Sequence, residues 1–200
     1  MRLAPSATVC LVFLALAVST SPAADSEPIE LTRDVPWRHE PSGFVFPQDV
    51  VTFTRVSAFR YDDEGRNVSV GYSDRALRTI LTAYVYPSGG APLAKHFEQV
   101  VRDVREVHPD AEVLAEGAWK LEQNGRKFTG RRATFRFRAT IGGQEREFVS
   151  EAYLLRLGDL FLKFRVTCPK DTYEAASDRI ARFLQTLKIP DPAAAAAREK

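Results

Sequence analysis

The chain has 200 residues, of which 28 are Lys or Arg and 26 are Asp or Glu, so its formal net charge is +2. With 44% hydrophobic and 10% aromatic residues it has the composition of a packed globular domain, which excludes an intrinsically disordered chain. Two cysteines exclude a disulfide-rich scaffold, and the near-neutral charge gives no reason to expect a nucleic-acid partner.

The N-terminal residues 1–24 predict a secretory signal peptide. Arg2 supplies a positive start, residues 9–18 form an unbroken apolar run, and small residues follow. A membrane-spanning helix needs about 20 apolar residues, so this run is short for a span, and a buried first helix is the alternative. We expect cleavage after Ala23 or Ala24 and a periplasmic or secreted mature protein without a transmembrane segment.

Residues 25–42 predict an extended lead-in segment. They contain three prolines among charged residues and show no periodicity. Trp37 in this segment is a large apolar side chain that can dock on the domain. The compact domain is therefore predicted to span residues 43–189.

The first half of the domain predicts three strands and then a helix. β-Branched and aromatic residues indicate strands at residues 52–60, 67–72 and 79–86. From Leu93 to Val107 apolar residues recur at helical spacing. Prolines close to both ends of this stretch mark the beginning and the end of the helix.

Four more strands are predicted in the second half. They span residues 112–121, 131–139, 145–157 and 160–168. Gly142 and Gly143 form a favoured two-residue hairpin loop. With these two residues as the loop, the register places Tyr153 opposite Arg132.

Cys168 is the only cysteine that remains once the leader is removed, so no intramolecular disulfide can form. It ends the apolar run of residues 160–168, and free cysteines are among the most often buried residues. A catalytic thiolate needs a nearby base or a helix N-terminus, but the next helix begins with Asp171 and Glu174, whose charges raise a thiol pKa. These features favour a buried, structural Cys168 over a catalytic one.

The last helix is predicted to begin with a capping box, because Asp171 is followed by Glu174 three residues later. Two prolines end it after residue 189. Residues 190–200 form an alanine-rich tail that we expect to be disordered.

Both faces of the predicted sheet carry apolar residues, so both faces need cover. The two amphipathic helices supply it. The order of strands, helix, strands and helix predicts an α+β domain in which an antiparallel β-sheet is covered by two amphipathic helices, an α/β/α sandwich.

This order of elements resembles the Mog1/PsbP-type α/β/α sandwich, which exported bacterial proteins of unknown role also use. The resemblance rests on three segments: residues 43–47, where the chain enters the domain, the strand at residues 81–87 before a helix, and residues 183–187, which end the closing helix. These patterns are structural and bring no functional motif. The resemblance implies a binding or assembly factor without catalysis, since a GTPase-binding protein and an extrinsic photosystem subunit have this fold.

The sequence contains no recognised catalytic or cofactor motif. His39, His96 and His108 are the only histidines, and no HExxH, CxxC or clustered His/Asp pattern occurs. Gly89 and Gly90 precede a helix but belong to no GxGxxG or Walker pattern, which indicates an ordinary turn. We therefore predict no catalytic, cofactor-binding or metal-binding residues.

The candidate binding surface is a basic hairpin. Basic residues interleaved with aromatic ones bind phosphates, acidic lipids or nucleic acid, whereas cross-strand pairs with Glu147 and Glu151 would make an ordinary neutralised sheet face. Export argues against nucleic acid. We predict that Arg132, Arg136 and Tyr153 bind an unknown protein or a small anionic ligand in the cell envelope.

Two functional classes stay open. The favoured one is a non-catalytic exported binding or assembly-accessory protein. The alternative is an envelope enzyme, for example a hydrolase, whose site has no recognised motif. The enzyme hypothesis predicts a deep pocket that converges on a histidine or on Cys168.

Overall fold

Eleven strands and two α-helices make up residues 26–190, the part of the chain that the computed structural model describes. The strands are β1 (Glu27–Pro28), β2 (Trp37–His39), β3 (Phe44–Phe46), β4 (Asp49–Val50), β5 (Phe53–Arg60), β6 (Val68–Asp74), β7 (Thr79–Pro87), β8 (Glu112–Gln123), β9 (Arg126–Ile141), β10 (Gln144–Leu157) and β11 (Leu160–Pro169). The helices are α1 (Leu93–Val107) and α2 (Tyr173–Thr186). The predicted signal peptide and the tail beyond residue 190 lie outside the described residues.

Nine strands form one antiparallel sheet in the order β1-β5-β6-β7-β11-β10-β9-β8, and β4 also pairs with β5. Two runs of hairpins, β5 to β7 and β8 to β11, meet where β7 pairs with β11. β11 therefore lies at the centre of the sheet although it is the last strand in the chain. No helix of residues 26–190 is long and apolar enough to cross a membrane.

The predicted register of the β9–β10 hairpin is confirmed. Tyr153 pairs with Arg132, and both loop residues, Gly142 and Gly143, have positive φ angles of 60° and 79°. A two-residue hairpin loop of this kind requires positive φ at both positions, which glycine adopts without strain.

The predicted capping box is wrong. α2 begins at Tyr173, and Asp171 lies in the 3₁₀ turn that precedes it, without a side-chain hydrogen bond to the helix. The Asp171 carboxylate instead accepts a hydrogen bond from Arg78 Nη2 at 3.0 Å. A charge-assisted bond to arginine takes the place of the cap.

The larger core lies between the sheet and α2. Phe183 of α2 is fully buried there, with its ring centroid 5.2 Å from Phe53 and 5.0 Å from Tyr72, and in edge-on contact with Phe164. The lead-in adds to this core because Trp37 packs against it. The lead-in is thus docked on the domain.

α1 covers only part of the opposite face, so the expected sandwich is incomplete. Its buried Phe97, Val100 and Val104 pack with residues of β9, β10 and β11, and within residues 26–190 this cluster contains no residue of β5 or β6. Strand alternation places further residues of β6 and β7 on this side, beyond the α1 cluster, and we call four of them the open half-face. They are Ser69 and Gly71, which are buried, and Thr82 and Tyr84, which are partly exposed.

Candidate functional site

The three predicted binding residues lie on the α2 side of the sheet. Arg132 and Arg136 belong to β9, and Tyr153 of β10 lies directly opposite Arg132. Arg132 is exposed, whereas Tyr153 is buried. The structure therefore brings Arg132 and Tyr153 together and places Arg136 four residues further along the same strand.

Tyr153 belongs to a buried group of hydroxyls around one carboxylate. The hydroxyls of Tyr153 and of Tyr173 donate to the two oxygens of Glu151, each at 3.0 Å. These donors replace the water that a buried carboxylate loses. Burial, with the nearby Glu151 charge, raises the pKa of Tyr153. The Tyr153 hydroxyl is thus already bonded, and its ring is the part that lies beside Arg132.

Arg136 is held by acidic neighbours. Its Nη2 donates to Glu112 Oε2 at 2.5 Å, and its Nε lies 3.9 Å from Glu147 Oε1. Glu147 also accepts a bond from Lys170 Nζ at 2.7 Å, and this bond is the main reason why the pKa of Glu147 is lowered. Such exposed pairs add little stability, but they neutralise Arg136.

Arg132 differs from Arg136 because it has no ion pair with any residue between 26 and 190. Its partner on β8 is Gly117, above which a side chain would meet only open space. On the other side lies buried Tyr153. The exposed guanidinium therefore belongs to a residue beside the gap above Gly117, and it can donate two parallel hydrogen bonds to an oxyanion.

Cys168 lies on β11 and His39 on β2, whereas His96 and His108 lie on α1 and at its C-terminal end. The prediction that Cys168 is buried is confirmed, and burial together with the Glu151 charge raises the pKa of its thiol to about 12. His96 on α1 lies with Nε2 2.8 Å from the Tyr86 hydroxyl, and His108 ends α1. Within the described residues no group of three or more His, Cys, Asp or Glu is placed to hold a metal ion.

His39 lies in the wall of a cleft of about 370 Å³ beside the lead-in. Its Nε2 is 2.6 Å from the Gly65 carbonyl, and its Nδ1 is 2.6 Å from Ser42 Oγ. Because a carbonyl only accepts, Nε2 carries the proton and Nδ1 accepts from the Ser42 hydroxyl. Ser42 is only 2% exposed, so this contact stabilises a turn and does not present a nucleophile to the cleft.

Two cations that the sequence analysis did not single out lie on the α1 side, at the centre of the sheet. Lys163 of β11 is 7% exposed, and its Nζ lies 4.4 Å from the Tyr84 ring centroid and 5.6 Å from that of Tyr86. Burial lowers the pKa of Lys163 to about 8 and that of Arg165 to about 10. Tyrosine rings stabilise a cation but do not neutralise it.

The acidic residue that faces these cations is Asp103 of α1. It is 4% exposed and accepts a hydrogen bond from Gln99 Nε2 at 2.6 Å. No ion pair within 4 Å joins it to Lys163 or Arg165 among residues 26–190. We call this group the cationic cluster. Its members are Lys163, Arg165, Asp103, Tyr84 and Tyr86.

A signal for this cluster is present in the sequence. Along residues 160–168 charged Lys163 and Arg165 alternate with large apolar residues, so one face of an otherwise apolar strand is cationic. A strand of this pattern in the middle of a sheet must bury the charges or leave that face open.

Neither a protein-family model nor a curated protein sequence matches the chain. Solved structures with a similar fold include a protein of unknown function, PA94, from Pseudomonas aeruginosa, at 12% identity and a TM-score of 0.44, covering 78% of this chain and 97% of that one. The cyanobacterial PsbP of Synechocystis has 12% identity, a TM-score of 0.44 and coverage of 86% and 96%. The Ran-binding protein Mog1p of Saccharomyces cerevisiae has 16% identity, a TM-score of 0.41 and coverage of 88% and 90%. The structures to which the chain is similar thus include the Mog1 and PsbP folds that its sequence resembles, and the similarity concerns the fold alone.

Proposed function

We propose that the mature protein is a non-catalytic binding or assembly-accessory protein of the cell envelope, and that it recognises an anionic group of a partner protein at Arg132. The observation that supports this function is the exposed guanidinium of Arg132, which has no ion pair among the described residues and lies next to the gap above Gly117. An unpaired arginine beside open space is suited to a carboxylate.

The other two predicted residues have supporting roles in this proposal. The ring of Tyr153 forms one wall of the gap, and the Glu151 carboxylate fixes its hydroxyl. Arg136 adds positive potential further along β9, weakened by its pairs with Glu112 and Glu147. Arg132 is therefore expected to contribute more to binding than Arg136.

Arg132→Glu is expected to lower capture of the partner from envelope extracts about tenfold or more, because the reversed charge repels an anionic group. The measurement is quantitative mass spectrometry of proteins retained by the immobilised mature chain. Arg102→Glu is the matched control, since Arg102 is exposed on α1, on the opposite side of the sheet. Equal capture by wild type and Arg132→Glu would show that Arg132 is not part of the binding surface.

Export is part of the same proposal and has its own test. Expression with the native N-terminus in a Gram-negative host should place the chain in the periplasmic fraction. Its intact mass should match a chain that begins after Ala23 or Ala24. Leu14→Arg, which interrupts the apolar run, should retain the uncleaved chain in the cytoplasm. A full-length cytoplasmic wild-type chain would contradict export.

A further inference from the structure

The cationic cluster places more positive than negative charge inside the protein. Lys163 and Arg165 lie two residues apart on the same face of β11, and Asp103 is the buried carboxylate that faces them from α1. Arg165 also has an Nη1 atom that is shielded from solvent and has no hydrogen-bond partner within the described chain. Buried charge without a partner is strongly unfavourable, so a site of this kind calls for a compensating anion.

The aromatic contacts of the two cations explain how they are tolerated without such an anion. Lys163 Nζ lies over the rings of Tyr84 and Tyr86, and the Arg165 guanidinium lies 5.6 Å from the Phe135 ring centroid. Cation–π contacts of this kind are individually weak, and they leave the hydrogen-bond donors of both cations available.

The register shows a route to the two cations. On the α1 side Arg165 pairs with Thr82 of β7, which pairs with Gly71 of β6. In the same way Lys163 pairs with Tyr84 of β7, and Tyr84 pairs with Ser69 of β6. Ser69 and Gly71 are buried, whereas Thr82, Tyr84 and Arg165 are partly exposed, so the two cations can be approached from solvent past Thr82.

We propose that Lys163 and Arg165 bind one small oxyanion, a carboxylate or a phosphate, which enters over the open half-face. The anion completes the charge balance of the cationic cluster and accepts hydrogen bonds from the ammonium and the guanidinium. Thr82 lies next to Arg165 on the entry side and adds a hydroxyl. This site is on the opposite face of the sheet from Arg132, and it stands independently of the proposed function.

The test is titration of the mature wild-type chain with inorganic phosphate and, separately, with succinate, followed by calorimetry and by amide NMR shifts. Saturable binding of either anion, with the largest shifts at residues 82, 163 and 165, is expected. Lys163→Met and Arg165→Met should each weaken this binding about tenfold or more, because each removes one charged donor. The anion that binds identifies phosphate or carboxylate as the ligand chemistry.

Matched variants separate this site from general effects of charge. Arg182→Met, which removes an exposed arginine of α2 on the other side of the sheet, should bind the same anion as tightly as wild type. Thr82→Val keeps the size of the side chain and should weaken binding without unfolding the domain, which keeps the test valid if Arg165→Met does not fold. The absence of saturable binding by wild type, or equal affinity in Lys163→Met, would overturn the proposal.

Discussion

Phe183→Ala is expected to lower the free energy of unfolding by about 3–5 kcal/mol, the range for aromatic truncation in a core. Phe183 is fully buried, and its ring contacts Phe53, Tyr72 and Phe164 from three different strands. The three rings are themselves held in the sheet, so they cannot close the cavity that the substitution leaves. Urea denaturation followed by circular dichroism measures the change.

Two variants of the same helix turn serve as controls for this prediction. Phe183→Leu fills most of the cavity and should cost much less than Phe183→Ala. Arg182→Ala, at an exposed position, should change the free energy of unfolding by no more than about 0.5 kcal/mol. A loss below about 1 kcal/mol in Phe183→Ala would mean that α2 does not anchor the sheet in this way.

Local sequence signals predicted the hairpins well because short loops determine register. Gly142 and Gly143 permit the positive φ angles of a two-residue loop, and once the loop is known every pair of β9 and β10 follows. The capping box shows the opposite case. Its residue pattern is correct, but Arg78 lies 93 positions away in sequence and binds the Asp171 carboxylate instead.

The candidate site was harder to predict because burial depends on pairings between distant segments. Tyr153 was expected on a binding surface, yet Trp119 of β8 packs against its ring, and Tyr173 at the start of α2 shares the Glu151 carboxylate with it. Its pairing with Arg132, in contrast, depends only on the local hairpin and is present as expected.

Lys163 and Arg165 were missed for the same physical reason. Their alternation with apolar residues predicts a strand with one charged face, as at a sheet surface. β11 becomes the central strand only because it pairs with β7, about 80 residues earlier in the chain. α1 then places Asp103 over the same face. Neither the β7–β11 pairing nor the position of α1 can be predicted from the residues close to β11 in sequence.

Lys163→Met is expected to be more stable than wild type at pH 7, and the difference should shrink by about 2 kcal/mol by pH 9.5. Burial lowers the pKa of Lys163 in the folded chain to about 8, from an ordinary value of 10.5. Between these values the unfolded chain binds more protons, so the stability of wild type rises with pH. The other members of the cationic cluster are present in both proteins, and burial, the larger cause, keeps the pKa of His96 below this pH range in both.

Urea denaturation of both proteins at pH 7, 8, 9 and 9.5 measures this difference. At these pH values Tyr84 of the folded chain is not yet ionised, because its pKa is raised to about 12. Lys127→Met, at an exposed position on β9, should show a difference from wild type that is small and independent of pH. If Lys163→Met were instead less stable than wild type by a constant amount over this pH range, the Lys163 ammonium would already be balanced by a negative charge of the folded protein. The buried charge would then need no anion, and Lys163 would be a structural residue.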